Sequence, residues 1–232
     1  MGVQLPRWVW IGAGSLACIA GMINVIGFLG FQHQAITHLT GNTSLLGAAI
    51  AHGDVAAMLR LGGMALAFLA GAMLSGMIVQ DSTLRLGRRY GVVLMIESVL
   101  LFLAVPLFAA QSIGGPLLAA AACGLQNAMA TTFSGAVIRT THLSGMFTDL
   151  GIGIGHALRG MPLQRRRLLL SVLIISSFLA GGIIGGWLFV RIGYDALLFP
   201  AAMTGLVGIG YVAYRQFAML HDRPPGSGAE GL

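Results

Sequence analysis

Six stretches of the chain are apolar almost without interruption, at about 9–31, 61–79, 91–110, 116–137, 168–190 and 196–214. Their apolarity runs all the way round, unlike the single stripe of a helix lying on a soluble core. Each is close to the ~20 residues an α-helix needs to cross a hydrocarbon layer of ~30 Å at ~1.5 Å per residue. Two shorter apolar stretches, 40–52 and 144–158, lie between the first and second long ones and between the fourth and fifth. Segments of about 10–14 residues are too short to cross and are typically re-entrant or interfacial. The pattern predicts an all-α, polytopic membrane bundle of six transmembrane helices with two short accessory helices.

Composition agrees. Hydrophobic residues make up 56% of the 232 and charged residues 9%, against about 25% charged in a soluble domain. That excludes a soluble enzyme and a disordered regulator. Cys18 and Cys123 are the two cysteines, both inside apolar stretches, so no disulfide scaffold or cysteine-rich metal site is expected. Arg7 ahead of a long apolar stretch superficially suggests a signal peptide, but 9–31 exceeds a typical signal core. Trp8, Trp10, Tyr90, Tyr194 and Tyr214 fall at stretch ends, where aromatic rings favour the membrane interface. Gly71, Gly76, Gly181, Gly182, Gly185 and Gly186 lie within stretches and allow helices to approach closely.

Charge sets the expected orientation. All thirteen basic residues are arginine, the net charge is +6 and the isoelectric point is about 10.4. In a soluble chain this balance would suggest nucleic acid; here the arginines fall between apolar stretches, so no nucleic-acid partner is expected. With six crossings and the N-terminus inside, the inner segments carry Arg7, Arg85, Arg88, Arg89, Arg139, Arg159, Arg165, Arg166, Arg167, Arg215 and Arg223. Only Arg60 and Arg191 remain outside. The positive-inside rule then predicts both termini on the cytoplasmic side.

The chain also repeats itself. Thr37-His38-Leu39-Thr40-Gly41 returns as Thr141-His142-Leu143-Ser144-Gly145. Gly21-Met22-Ile23-Asn24 has a counterpart in Gly124-Leu125-Gln126-Asn127, and Phe68-Leu69-Ala70-Gly71 in Phe178-Leu179-Ala180-Gly181. Three landmarks in one order imply a duplication. Each copy holds three crossings, an odd number, so the second enters the membrane upside down relative to the first. The expected organisation is a first repeat at 1–110, an inverted second repeat at 111–217 and a flexible tail at 218–232.

These paired motifs resemble the YoaK family of bacterial inner-membrane proteins. The carriers are Gly21-x-x-Asn24 with His38-Leu39-Thr40-Gly41-Asn42, and Gly124-Leu125-Gln126-Asn127 with Thr140-Thr141-His142-Leu143-Ser144-Gly145. The resemblance spans nearly the whole chain and departs mildly at Ser144, which stands where the family pattern has Thr. It implies a multi-pass bacterial membrane protein and supplies no substrate.

The short stretches carry the candidate chemistry. Thr40 and Ser144 are expected N-caps, their hydroxyls accepting from the first helical turn. Residues four apart share a helix face, so Thr40, Ser44, Ala48 and His52 form one stripe, and Ser144, Thr148, Ile152 and His156 its counterpart. In inverted copies the two helix starts would face each other and offer free N–H groups to an anion. The candidate substrate-binding residues are therefore Asn24, His38, Thr40, Gly41, Asn42, Ser44, Asn127, His142, Ser144, Gly145 and Thr148. Glu97 and Asp149, acids within apolar surroundings, are candidate proton-coupling groups. The competing reading of all these residues is structural: capping, helix packing and dipole stabilisation.

The expected function is secondary transport of a small anionic or polar solute by rocking of one repeat against the other. Alternatives are a passive channel or a membrane scaffold or sensor. A transition-metal carrier is weaker, for want of paired His or clustered acids among six His and twelve Met. An enzyme is not expected, because no linked nucleophile and base, metal site or nucleotide-binding loop is visible. No cofactor or metal is implied. Expected partners are the lipid bilayer and a small-molecule or ion substrate, and a homo-oligomer is compatible with the pattern.

Overall fold

The computed structural model describes residues 7–31, 35–79, 89–133 and 140–221. The described residues form helices and no strand: α1 (Arg7–Gly30), α2 (Leu39–His52), α3 (Val55–Ile78), α4 (Arg89–Ala109), α5 (Gly114–Phe133), α6 (Leu143–Leu158), α7 (Arg165–Ile192) and α8 (Leu198–His221). A five-residue 3-10 turn, Gly193–Leu197, joins α7 to α8. Of the sequence-based expectations, Arg85, Arg88, Arg139, Arg223, the end of the fourth stretch and most of the tail lie outside the described residues, as do the side chains of Trp8, Tyr214 and Arg215.

Two long helices begin earlier than their apolar stretches. Asp54 Oδ1 accepts from the Ala57 N–H at 3.0 Å and starts α3 at Val55. Just before it, Gly53 adopts φ +71°, a conformation that costs glycine little, and closes α2. Arg165, Arg166 and Arg167, expected in a loop, instead form the exposed first turn of α7. Arginine is a good helix former, and the apolar sequence follows it without a break.

The outer surface is apolar. Leu66, Leu69, Met73 and Met77 on α3, Leu179, Ile183 and Val190 on α7, and Leu206 and Ile209 on α8 are all exposed. Contiguous apolar surface of this kind is out of place in water and at home in lipid. By length and composition, four described segments can cross a membrane: Val9–Gly30, Val55–Ile78, Arg89–Ala109 and the 49-residue stretch Arg165–Ala213, which holds α7 and most of α8. The fourth apolar stretch is not among them. Gln126 and Asn127 lower the apolarity of α5, and it tolerates them because neighbouring helices enclose it: Ala119, Ala120, Ala122, Cys123, Leu125 and Gln126 have no exposure.

Four backbone crossings organise the bundle. A methyl group at Gly21 would overlap the Phe178 carbonyl, and one at Gly181 the Cys18 carbonyl, where α1 meets α7. A methyl at Gly124 would overlap the Phe68 carbonyl, and one at Gly71 the Ala121 carbonyl, where α5 meets α3. The second pair of crossings uses the sequence counterparts of the first. Between α4 and α8, Gly91 and Gly208 each face the other's carbonyl, and Ser98 Oγ donates to Ala201 O at 2.7 Å. Of the other glycines expected at contacts, Gly182, Gly185 and Gly186 meet α1, whereas Gly76 faces open space.

The register of these contacts gives the helix senses. α1 and α7 advance together from Gly14 beside Leu173 to Met22 beside Gly185, so they run parallel; α3 and α5 do likewise. α4 and α8 run oppositely. Phe31, Phe108 and Phe189, at the C-terminal ends of α1, α4 and α7, gather around Tyr194 just before α8. Hence α1, α4 and α7 point one way, and α3, α5 and α8 the other. The short helices fold back on the long ones that follow them. Leu46 and Ala49 of α2 pack with Ala57, Met58 and Leu61 of α3, and Met146 of α6 lies against Ser171 of α7.

Substitution by alanine at Gly21 or Gly124 is expected to force the crossing backbones apart and lower stability by about 1–3 kcal/mol, in the range of overpacking. The same change at Gly76 should leave stability within ~0.5 kcal/mol, as on an ordinary surface. Thermal unfolding of the purified protein in detergent measures both.

Candidate functional site

The helix starts differ from expectation. His38 and His142, not Thr40 and Ser144, occupy the positions before α2 and α6, and neither side chain caps its helix. Thr40 and Ser144 sit inside the first turn, where their carbonyls accept from Ser44 Oγ at 3.1 Å and Thr148 Oγ at 2.9 Å. The stripe Thr40, Ser44, Ala48, His52 is largely turned outward, as is Ser144, Thr148, Ile152, His156. The reason is competition for the inner face. Leu46 and Ala49 take the side of α2 against α3, and Met146 takes the side of α6 against α7, so the hydroxyls turn away. No packed interface joins α2 to α6 among the described residues.

The segment before α2 is held from α1. Asn24 Oδ1 accepts from the Thr37 N–H at 2.9 Å and from Thr37 Oγ1 at 2.8 Å. Buried Asn42 donates from Nδ2 to Ala35 O at 3.0 Å. Gly41 lies under the His38 ring and Gly145 under the His142 ring. Asn127 does not reproduce the role of Asn24: its Oδ1 is buried and accepts no hydrogen bond among the described residues. Asp149 pairs with Arg167 at 2.7 Å, and with His156 they line a cleft of about 50 Å³ at the exposed end of α6.

A larger cavity, about 310 Å³, opens between α1 and α8. Val9, Ser15, Leu16 and Ile19 line it from α1, Thr204, Val207 and Tyr211 from α8, Tyr90 and Leu94 from α4, and Met129 and Ala130 from α5. Its walls are chiefly apolar. Tyr90, expected at the membrane interface, is a buried wall residue instead.

At the opposite end of the same helices the bundle is plugged. Tyr194 stacks on Phe108 with centroids 5.3 Å apart, and Phe31 and Phe189 meet these two rings edge to face. The Tyr194 hydroxyl donates to Gly30 O and accepts from Gln111 Nε2 at 2.8 Å. Tyr194 therefore ties the end of α1 to the α4–α5 connection rather than sitting in an aromatic belt.

Glu97 is the one acid buried inside the described bundle. It has no exposure, and neither carboxyl oxygen has a hydrogen-bond partner among the described residues. Gln126, also fully buried, donates from Nε2 to Leu16 O at 3.2 Å and leaves Oε1 unpartnered. The sequence singles out Glu97 but not Gln126, because the repeat draws attention to Asn127 beside it. The available signal is a second amide within an apolar stretch. The residues around Tyr194 carry no such mark, since nothing local distinguishes a half-buried tyrosine packed on other rings from an interfacial one.

Helices that bury their small residues in one another and expose their large apolar ones define a membrane-type helical protein. Residues 13–210 match the family model described as "Protein of unknown function (DUF1275)", and the chain belongs to that family. The YoaK resemblance is compatible with this membership. Neither the curated proteins nor the solved structures contain a match.

Replacing Asn24 with alanine removes the acceptor for two donors of Thr37. The expected cost is about 1–2 kcal/mol, the upper part of the range for hydrogen bonds between membrane helices. Faster amide hydrogen exchange confined to 35–42 would check it. Asp149→Asn, at a pair open to solvent on one side, should cost less than ~1 kcal/mol.

Proposed function

We propose that the protein is a secondary transporter of a small polar or anionic solute. In this reading all six long helices cross the membrane, as two inverted halves, α1–α4 and α5–α8. Each half contributes one half-helix, α2 or α6, entering from its own side. The alternating helix senses and the glycine crossings at equivalent positions in both halves support the inversion. The arginines beginning α4 and α7 lie at the end where the cavity opens, so by the positive-inside rule that end faces the cytoplasm.

The observation that carries transport is a departure from symmetry. Under the repeat, α4 against α5 is equivalent to α8 against α1. The first interface is packed along its length, with Phe108 pressed on Gly115, while the second is separated by the 310 Å³ cavity. Two equivalent interfaces, one shut and one open, are the two states that a rocking carrier would exchange. The aromatic plug at the far end favours a carrier over an open channel. Free N–H groups at the starts of α2 and α6 would contribute polar contacts to a solute passing their level.

The test is flux in proteoliposomes over a panel of small organic anions and neutral polar solutes, with and without a pH gradient. Gly12 faces the cavity with nothing within 4 Å of a side chain built there. Gly12→Trp should fill the cavity and lower flux about tenfold or more while the protein stays folded. No flux across the panel, or flux untouched by Gly12→Trp, would overturn the reading.

A further inference from the structure

The cavity wall lies one helical turn from two fully buried residues with unpartnered oxygens, Glu97 and Gln126. Leu94 lies one turn before Glu97 on α4, and Met129 and Ala130 lie one turn beyond Gln126 on α5; all three are wall residues. Leu16, whose carbonyl receives Gln126 Nε2, is another. Glu97 and Gln126 are also level with each other. α4 and α5 run antiparallel from the contact of Phe108 with Gly115, and Glu97 is as many residues before Phe108 as Gln126 is after Gly115. The two side chains thus share one buried level, one turn from the cavity wall.

The chemistry of the orphaned atoms selects the ligand. Both Glu97 oxygens and Gln126 Oε1 are acceptors, and none has a donor among the described residues. The Gln126 amide cannot turn round to supply one without abandoning Leu16. A metal ion would need several more oxygens than these, and the cavity walls offer few; among the described residues no three His, Cys, Asp or Glu gather. A single proton removes the charge and answers two of the three deficits, leaving only the carbonyl oxygen of the acid without a donor. On one Glu97 oxygen it makes a carboxylic acid, whose O–H is a donor for Gln126 Oε1.

We propose that Glu97 is a reversible proton-binding site, that Gln126 Oε1 is the acceptor for its protonated form, and that the α1–α8 cavity is its route to solvent. The step is a plain transfer: a hydrated proton entering from solvent along the cavity is passed to the carboxylate, leaving a neutral water and a neutral carboxyl. Among the described side chains of the packed elements, the titratable or charged groups are Cys123 on α5, Cys18 on α1, Tyr90 and Tyr211 on α4 and α8, Arg89 exposed at the start of α4, Arg60 near the start of α3, and Tyr194 and exposed Asp195 in the 3-10 turn; none forms an ion pair with Glu97. The site deepens the transport reading, on which its role in coupling rests.

The chain has only two glutamates, Glu97 and Glu230, so isotope-labelled glutamate gives a simple infrared spectrum. In lipid-embedded full-length protein, a pH titration should show a labelled carboxylic-acid C=O band that disappears in Glu97→Gln. In Gln126→Leu the band should persist and move to higher frequency, because its acceptor is gone. Gly12→Trp should slow deuterium exchange at the band about tenfold or more, reflecting the blocked route. A band that stays put in Gln126→Leu, or no labelled band assignable to Glu97 at any pH, would overturn the site; the Gln126 result decides this even where Glu97→Gln does not fold. The infrared result stands apart from flux. A Glu97 band with no transport sinks only the transport reading, and proton-driven flux that survives in Glu97→Gln sinks only the role of the site in coupling.

Discussion

Close backbone contact between helices is the constraint on which everything else depends. Lipid removes the hydrophobic incentive for helices to associate, leaving van der Waals contact and interhelical hydrogen bonds to hold them. This chain meets the requirement with glycine: Gly21 and Gly181 let α1 lie against α7, and Gly71 and Gly124 let α3 lie against α5. Because each crossing joins a helix from one half of the chain to a helix from the other, neither half is packed without its partner. The parallel senses of α1 with α7 and of α3 with α5 follow from those contacts, and the opposed senses of α4 and α8 from their own glycine contact.

Near-symmetry then gives the exceptions their meaning. Asn24 organises the start of α2 through Thr37, while its counterpart Asn127 keeps a buried oxygen without a donor among the described residues. α5 is enclosed where α1 borders a cavity. Tyr194 ties one end of the bundle shut, and the other end has no equivalent tie among the described residues. The buried carboxyl of Glu97 belongs with these exceptions. A buried polar group without a partner costs a bundle of this size a substantial fraction of its stability, and Glu97 bears that cost one helical turn from the cavity wall.

Much of the architecture is legible in the amino-acid order. The long and short helices follow from the lengths of the apolar stretches, and the crossings follow from glycines that recur in both halves. What escapes is orientation about each helix axis. The hydroxyl stripes of α2 and α6 are visible as stripes, but nothing local says which side of a short apolar helix turns inward. That depends on Leu46, Ala49 and Met146 finding α3 and α7. The same gap hides Gln126, whose importance lies in reaching Leu16 on a helix more than a hundred positions earlier, and Tyr194, whose ring meets residues of three other elements. Arg165, Arg166 and Arg167 look like loop residues because charge marks the end of an apolar stretch without marking the end of a helix.

The inversion of the two halves is most directly tested by the sidedness of the two short-helix turns. In a background with Cys18 and Cys123 replaced by serine, Ala51→Cys and Met161→Cys would each carry one exposed thiol, probed in intact cells and inverted vesicles with a membrane-impermeant maleimide. Labelling of Ala51→Cys only from outside and of Met161→Cys only from the cytoplasmic side is the predicted result. Labelling of both from the same side would contradict the account.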